Sequence, residues 1–421
     1  MHILFLMPAA PLADNISGAA SRYLQNLKAL TATGASITLA RLDSADHFAA
    51  LPPPSDLPPV NSEGEKRTSS VGAGGINAAP TATPPYEPLD FRYDPPRLNR
   101  LQRWLGALFE PIGVVYPSID QATIRIGALL DEIDPDLVWV ETTELAASVM
   151  LANPAVTWIL SHHDLAYRVR EIRTGAKTRA QRWTIDMLRR AETTVIQSAP
   201  IIITASMTDA GRLRALGAPD VRVIPMGYDP QPVATGGESP APTASAGRII
   251  HLGSLETTAN RVGLEAYLRK AHPQVPDTTL TIIGSANALK PPLRDLIDGD
   301  PRVVLAGYQP DLDSALHPFD LAILPYEHDT GYRTKLPLLM RHQQVIVTTR
   351  AAVAGSIIDG LDHVIVIVER VDDFPDVIRR LWDDHAERER IGRAALVFFT
   401  AHYTHDAIQP HYTALLDEII E

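Results

Sequence analysis

The sequence predicts an α/β fold of two Rossmann-like, doubly wound domains, with a site in the cleft between their facing sheet edges. Three observations lead there. Short apolar runs alternate with stretches of helical spacing along most of the chain. A Pro/Ser/Ala/Gly-rich stretch, 230–247, carries no charge run and no periodicity; the alternation restarts after it, as expected of a linker. Finally, 421 residues exceed one ordinary core, so two or three domains are expected.

Ile3 to Met7 is the first strand. The MHILFLM start has no basic n-region and meets prolines almost at once, which does not fit a signal peptide. Pro8 to Ser17 is a turn-rich loop, and Ala19 to Leu30 has helical spacing through Tyr23, Leu24, Leu27 and Leu30. Gly18 stands at the junction. A residue without a side chain there either admits a ligand to the backbone N–H groups or simply starts the helix. Ser36 to Leu42 is the second strand.

From Ala50 to about Pro96 apolar periodicity is almost lost, so this part is expected to be a mobile insertion or a lid. GAGGIN within it has glycines like those of a dinucleotide-binding loop, but neither the preceding strand nor the following helix. Arg97 to Phe109 is amphipathic, with arginines near Trp104, and supports either a core helix or peripheral contact with a membrane. Ile119 to Ile133 is a helix, and Leu137 to Val140 and Thr157 to Leu160 are strands. The second strand runs into Ser161, His162, His163 and Asp164, which places imidazoles at a carboxyl end. A basic helix from Arg179 to Ala191 and strands at Ile201 to Thr204 and Val221 to Ile224 complete the first half. After the linker, strands are expected at Arg248 to Leu252, Leu280 to Ile283, Val303 to Leu305, Leu321 to Leu324, Val345 to Thr348 and Val364 to Val368. The domain limits are thus 1–229 and 248–405, with 406–421 a terminal helix placed to cross back to the first domain.

Fifty acidic against 38 basic side chains give a net charge of −12, which disfavours nucleic acid as a partner. The absence of cysteine excludes disulfides, thiolate metal sites and a cysteine nucleophile. No run of 18 apolar residues occurs, so no span is expected and the default location is cytoplasmic.

Phe319 to Thr349 is the expected ligand stretch. A buried strand ends at Pro325, a loop follows, and Pro337 lies in or near the first turn of a helix, where its missing N–H is harmless. Gly331, Arg333 and Lys335 then sit near a helix start. Two cations are unfavourable there unless an anion joins them, and a diphosphate would suit both; a solvated basic turn is the alternative. No metal site is expected. The pairs Asp134 and Asp136, Asp298 and Asp300, and Asp311 and Asp313 fit turn and cap duties. His162 and His163, adjacent in an extended run, point to opposite faces and cannot share a metal without a bend.

Nearly the whole chain apart from the two low-complexity stretches resembles the retaining, nucleotide-sugar-dependent glycosyltransferases of the GT-B fold, close to family 4, glycosyl transferases group 1. The matching pieces, in order, include SGAASRYLQNL, SHHDLAYR, ITASMTDAGRLRALG, VRVIPMGYD, HLGSLETTANRVGLEAYL, VVLAGYQPDL and FDLAILPYEHDTGYRTK. The resemblance implies that Arg333 and Lys335 grip the donor diphosphate with help from backbone at Gly18 and Gly253, and that Ser254 and Asn260 belong to the same phosphate-facing turn. It places Tyr308 at the nucleotide base and makes His163 the catalytic histidine near the transferred sugar. The implied activity is metal-independent transfer of a hexose to a glycan or lipid-linked acceptor, as in polysaccharide biosynthesis, with the nucleotide-sugar as donor and no cofactor. Three positions depart from the family pattern: Leu338 replaces a glutamate that holds the ribose, Gln343-Gln344-Val345 replaces a Gly-x-Pro turn, and Ser161 replaces an aspartate. The alternative reading is therefore a catalytically degenerate homologue acting as a binding or regulatory partner.

Overall fold

The computed structural model describes residues 1–8, 18–44, 88–93, 112, 115–116, 119–230, 248–275, 278–287, 289–329, 331–356 and 359–420, with 18–21 and 88–93 described as backbone only. In chain order the elements are β1 (His2–Met7), α1 (Gly18–Ala32), β2 (Ser36–Ser44), β3 (Pro88–Tyr93), α2 (Ile119–Ile133), β4 (Leu137–Glu141), α3 (Thr143–Ala152), β5 (Trp158–His162), α4 (Ala166–Thr174), α5 (Arg179–Ser198), β6 (Ile201–Thr204), α6 (Met207–Ala215) and β7 (Val221–Val223). Then follow β8 (Ile249–Leu252), α7 (Thr258–Lys270), β9 (Leu280–Ile283), α8 (Leu293–Asp298), β10 (Val303–Gly307), α9 (Leu312–Ala315), β11 (Leu321–Leu324), α10 (Lys335–Arg341), β12 (Val345–Thr349), α11 (Arg350–Val353), β13 (Val366–Val368), α12 (Phe374–Asp383), α13 (His385–His402) and α14 (His405–Ile420).

Two compact units divide the chain: Met1–Ala10 with Gly34–Leu160, and Pro11–Thr33 with Ser161–Glu421. In the first, the strands run β3-β2-β1-β4-β5. β1 pairs in parallel with β2 from His2 opposite Ser36 to Met7 opposite Arg41, and with β4 from Ile3 opposite Leu137. The runs Ile3 to Met7 and Leu137 to Val140 are buried throughout, as strands covered on both faces require. Trp139 stacks near Phe5 with ring centroids 6.3 Å apart, and its indole N–H donates to Glu141 Oε1 at 2.9 Å. α2 buries Ile119, Ala122, Ile126 and Leu129, one stripe at helical spacing.

One expectation is corrected here. Pro88–Tyr93 falls inside the presumed insertion, yet it forms an edge strand paired in parallel with β2, from Leu39 opposite Pro88 to Ser44 opposite Tyr93. The alternation of Leu89, Phe91 and Tyr93 carries a strand's period of two, and the proline-rich surroundings obscured it. The rest of 50–96, the Arg97 to Phe109 segment and 231–247 lie outside the described residues.

The second unit holds β6 and β7, paired in parallel, and a six-stranded parallel sheet in the order β10-β9-β8-β11-β12-β13. That order reverses direction between β8 and β11, the point where such sheets open a crevice beyond their carboxyl ends. Two core clusters cover the sheet. One includes Ile250, Ala322, Leu339 and Phe399, the other Ile249, Leu264, Ile323 and Phe374. α14 packs on α1, where Tyr412 donates to Asn26 Oδ1 at 2.6 Å and Gln409 Nε2 to Ala29 O at 3.0 Å. The paired aspartates have local duties: Asp311 caps α9, Asp300 holds Arg302, and Asp136 accepts from the His2 backbone. Among the described residues no helix is long and apolar enough to cross a membrane.

Candidate functional site

The site forms at the carboxyl ends of β8, β9, β10 and β11. Leaving β8, the chain turns at Gly253 with φ +145°; a Cβ there would overlap the Lys335 ammonium and come within 2.7 Å of Asn260 Nδ2. Gly284, following β9 with φ +146°, is equally constrained, since its Cβ would run into the Gly253 carbonyl. These two glycines make room for a buried lysine head.

Lys335 opens α10, and Pro337 follows in the first turn as expected. Its Nζ donates to Asn260 Oδ1 at 2.6 Å and to the Tyr326 hydroxyl at 2.9 Å, and Tyr326 itself donates to Asn260 Oδ1 at 2.7 Å. The Asn260 amide donates to Ser254 O at 2.6 Å and to Thr257 Oγ1 at 3.0 Å, which fixes its carbonyl toward the lysine. Burial lowers the Lys335 pKa from its ordinary value, and Tyr326 opposes that shift. Arg333 lies over the Tyr326 ring, Cζ 4.2 Å from the centroid, and donates from Nη2 to His328 O at 3.0 Å. Among the described residues neither cation has a carboxylate ion pair. Lys335, desolvated by its surroundings, and the half-buried Arg333 are thus held only by neutral groups, an arrangement with unused positive charge that can accept an anion.

They line a cavity of about 760 Å³ with Gly253, Ser254, Asn260 and Tyr308. The structure thus brings together six of the residues expected at the donor. Tyr308 follows β10 with its ring half-exposed, while Ser254 Oγ bonds Ser285 Oγ at 2.7 Å. Asn260, with its polar atoms spent inside the protein, acts through Lys335. Leu338 also lines the cavity, so the wall is apolar where the family resemblance implies a carboxylate.

Gly331 lies elsewhere. With φ +87°, it lines a small adjoining recess, where a Cβ would come 2.7 Å from Asp164 Oδ1 and 3.0 Å from Asp209 Oδ2. Arg212 bridges Asp209 Oδ1 at 2.8 Å and Asp329 Oδ2 at 2.7 Å. Asp164 lines both spaces; although the residue as a whole is exposed, the protein atoms around its carboxyl raise its pKa, Asp209 adds to the rise, and His163, Arg333 and Arg22 oppose it. Gly18 is the first residue of α1.

Just past β5, His163 is half-buried with its ring edge-on to Tyr23, centroids 5.2 Å apart. His162 is fully buried, and burial, His163 and Arg22 push its pKa down to about 3. The neighbouring imidazoles therefore occupy different surroundings. Ser161 Oγ accepts from Arg22 Nε at 3.2 Å and Asn26 Nδ2 at 3.0 Å, tying the end of β5 to α1.

Sequence reasoning missed Tyr326, Gly284, Asp164 and Arg173, the last on the α4 wall of the cavity. The first two lie within two residues of the carboxyl ends of β11 and β9, a position that could have flagged them. Arg173 stands on α4 after two other arginines, Arg168 and Arg170, a basic run that gives no such signal.

Two Rossmann-like domains and a cavity at the β8/β11 switch point define an α/β protein of the GT-B type. Residues 17–232, more than half of the chain, match the family model for Glycosyltransferase Family 4, and residues 246–384 match that for Glycosyl transferases group 1. The chain belongs to glycosyltransferase family 4. No curated protein matches it. Among solved structures it is similar in fold to sucrose-phosphate synthase from Thermosynechococcus elongatus (16% identity, TM-score 0.67, covering 100% of this chain and 99% of that one). It is also similar to HepE from Anabaena in complex with UDP and glucose (14%, 0.61, 99% and 100%). A third similar structure is α,α-trehalose 6-phosphate synthase from Burkholderia multivorans (12%, 0.61, 99% and 98%).

Proposed function

We propose that this glycosyltransferase moves a hexose from a nucleotide-sugar to a glycan or lipid-linked acceptor, with retention at the anomeric carbon. The observation that carries the reading is the pair Arg333 and Lys335, half-buried, the first over the Tyr326 ring and the second bonded to Tyr326 and Asn260, without a carboxylate ion pair among the described residues. Complexes of the similar HepE with UDP, with UDP and glucose and with UDP-glucose support a nucleotide-sugar donor. The leaving diphosphate gains charge as the glycosidic bond breaks, and two fixed cations in a desolvated pocket stabilise it without a metal ion. Tyr308 offers its ring to the base. His163 bonds a sugar hydroxyl, or stabilises positive charge growing at the anomeric carbon. A cytoplasmic location in polysaccharide assembly fits such a donor.

The test is incubation with a panel of nucleotide-sugars, following slow hydrolysis to free nucleoside diphosphate while thermal shift reports binding. Hydrolysis of at least one donor is the expected result. Leu338 at the cavity wall favours a second reading, a degenerate homologue that binds and regulates. Binding without turnover across the panel would select it.

A further inference from the structure

We infer that the α4–α5 hairpin is a docking surface for an anionic membrane. Residues 166–190 hold eight basic side chains against two acidic ones, in a chain whose net charge is −12. Both acids are already engaged, Glu171 with Arg168 at 2.8 Å and Asp186 with Arg190 at 3.1 Å. Arg173, Lys177, Arg179 and Arg182 are exposed and have no carboxylate ion pair among the described residues. Such a local concentration of exposed positive charge, on a protein that is acidic elsewhere, attracts and orients a polyanion.

The apolar residues within this patch decide which polyanion. Trp183 is 45% exposed on the α5 face that also carries Arg179, Arg182 and Arg190, while α5 turns Met187, Ala191 and Val195 inward. Val169 on α4 is 42% exposed. A tryptophan set among arginines matches the headgroup layer of a bilayer, which takes an amphipathic ring and basic side chains together. A soluble polyanion without stacking rings, such as heparin, needs only the basic side chains, and the net charge of −12 already disfavours nucleic acid. Val169 and Arg173 also line the cavity, so a surface docked through this hairpin would present a lipid-linked acceptor beside the candidate donor site. The inference extends the acceptor reading above, while its test needs no glycosyl transfer.

The test is co-sedimentation of the full chain with phosphatidylcholine vesicles, with and without phosphatidylglycerol, alongside binding to heparin. Arg182 is left unchanged because it donates to Ala176 O and Lys177 O and shapes the turn. Arg179→Glu is placed in the first turn of α5, where the dipole favours an acid, so the helix should survive. We expect binding to the anionic vesicles only, weakened by salt. The double variant K177E/R179E and, separately, W183A should each reduce it about tenfold or more with the thermal midpoint unchanged. Hydrolysis of a nucleotide-sugar in solution should be the same in these variants, which separates a failure of docking from a failure of the donor reading. No vesicle binding, equal binding to neutral vesicles, or binding indifferent to the variants would overturn the inference. Heparin binding that survives W183A without vesicle binding would assign the surface to a soluble polyanion and overturn it too.

Discussion

Lys335 Nζ donates to Asn260 Oδ1 at 2.6 Å, and Asn260 donates in turn to Ser254 O at 2.6 Å. This chain of bonds holds an ammonium beside Gly253 and supplies no negative charge. The site is thereby built in advance around a positive centre, and an incoming anion meets donors that need little rearrangement.

Gly253→Ala should disable the site while sparing the fold. The added methyl would overlap the Lys335 ammonium at a φ that L-residues rarely adopt, so the lysine must move. We expect affinity for a nucleoside diphosphate to fall about tenfold or more, near 1.4 kcal/mol, with the far-ultraviolet spectrum intact. Calorimetric titration checks this; an unchanged affinity would mean that the lysine head tolerates displacement.

The neighbouring histidines should separate by readout. His163→Ala is expected to lower turnover by two or more orders of magnitude, roughly 3 kcal/mol, with donor affinity within a few-fold. His162→Ala, in a fully buried position, should instead lower stability by roughly 1 to 3 kcal/mol and affect turnover far less. Steady-state kinetics beside thermal melts distinguish the outcomes, and equal catalytic losses would reassign the register at the end of β5.

Buried histidine also predicts acid sensitivity. The folded pKa of His162 is about 3 against an ordinary 6.5, so between these values the unfolded chain binds a proton that the folded chain refuses. Stability from this group is fully present above pH 6.5 and is lost as pH falls toward 3, at up to about 1.4 kcal/mol per pH unit. His251, also about 3, and His342, about 4, act in the same sense. Glu192, raised to about 7, acts in the opposite one, since its folded carboxyl protonates before the unfolded one. His162→Leu should therefore flatten the dependence of unfolding free energy on pH between 4 and 6.5 by about one proton. An unchanged slope would place His162 in contact with water.

Much of this was legible in the chain. Uninterrupted apolar runs such as Ile3 to Met7 and Leu321 to Leu324 marked parallel strands, because strands buried on both faces leave no room for polar alternation. Arg333 and Lys335 stood out as cations where a helix begins. β3 was hidden because six strand-like residues emerge from a proline-rich stretch. The role of Asn260 was not legible, since its partners come from two segments, Ser254 after β8 and Tyr326 with Lys335 between β11 and α10, that meet only when β8 and β11 pair. Gly331 illustrates the same limit: its neighbours Asp164 and Asp209 are distant in sequence, so spacing could not place it in the adjoining recess.

The central claim is that Arg333 and Lys335 form a diphosphate receptor, and calorimetric titration of a nucleoside diphosphate into the wild type and into Arg333→Ala and Lys335→Ala tests it most directly. The account predicts a loss of roughly 1.5 to 3 kcal/mol in binding free energy for each variant, with thermal midpoints near that of the wild type. Equal affinity in all three proteins would contradict it.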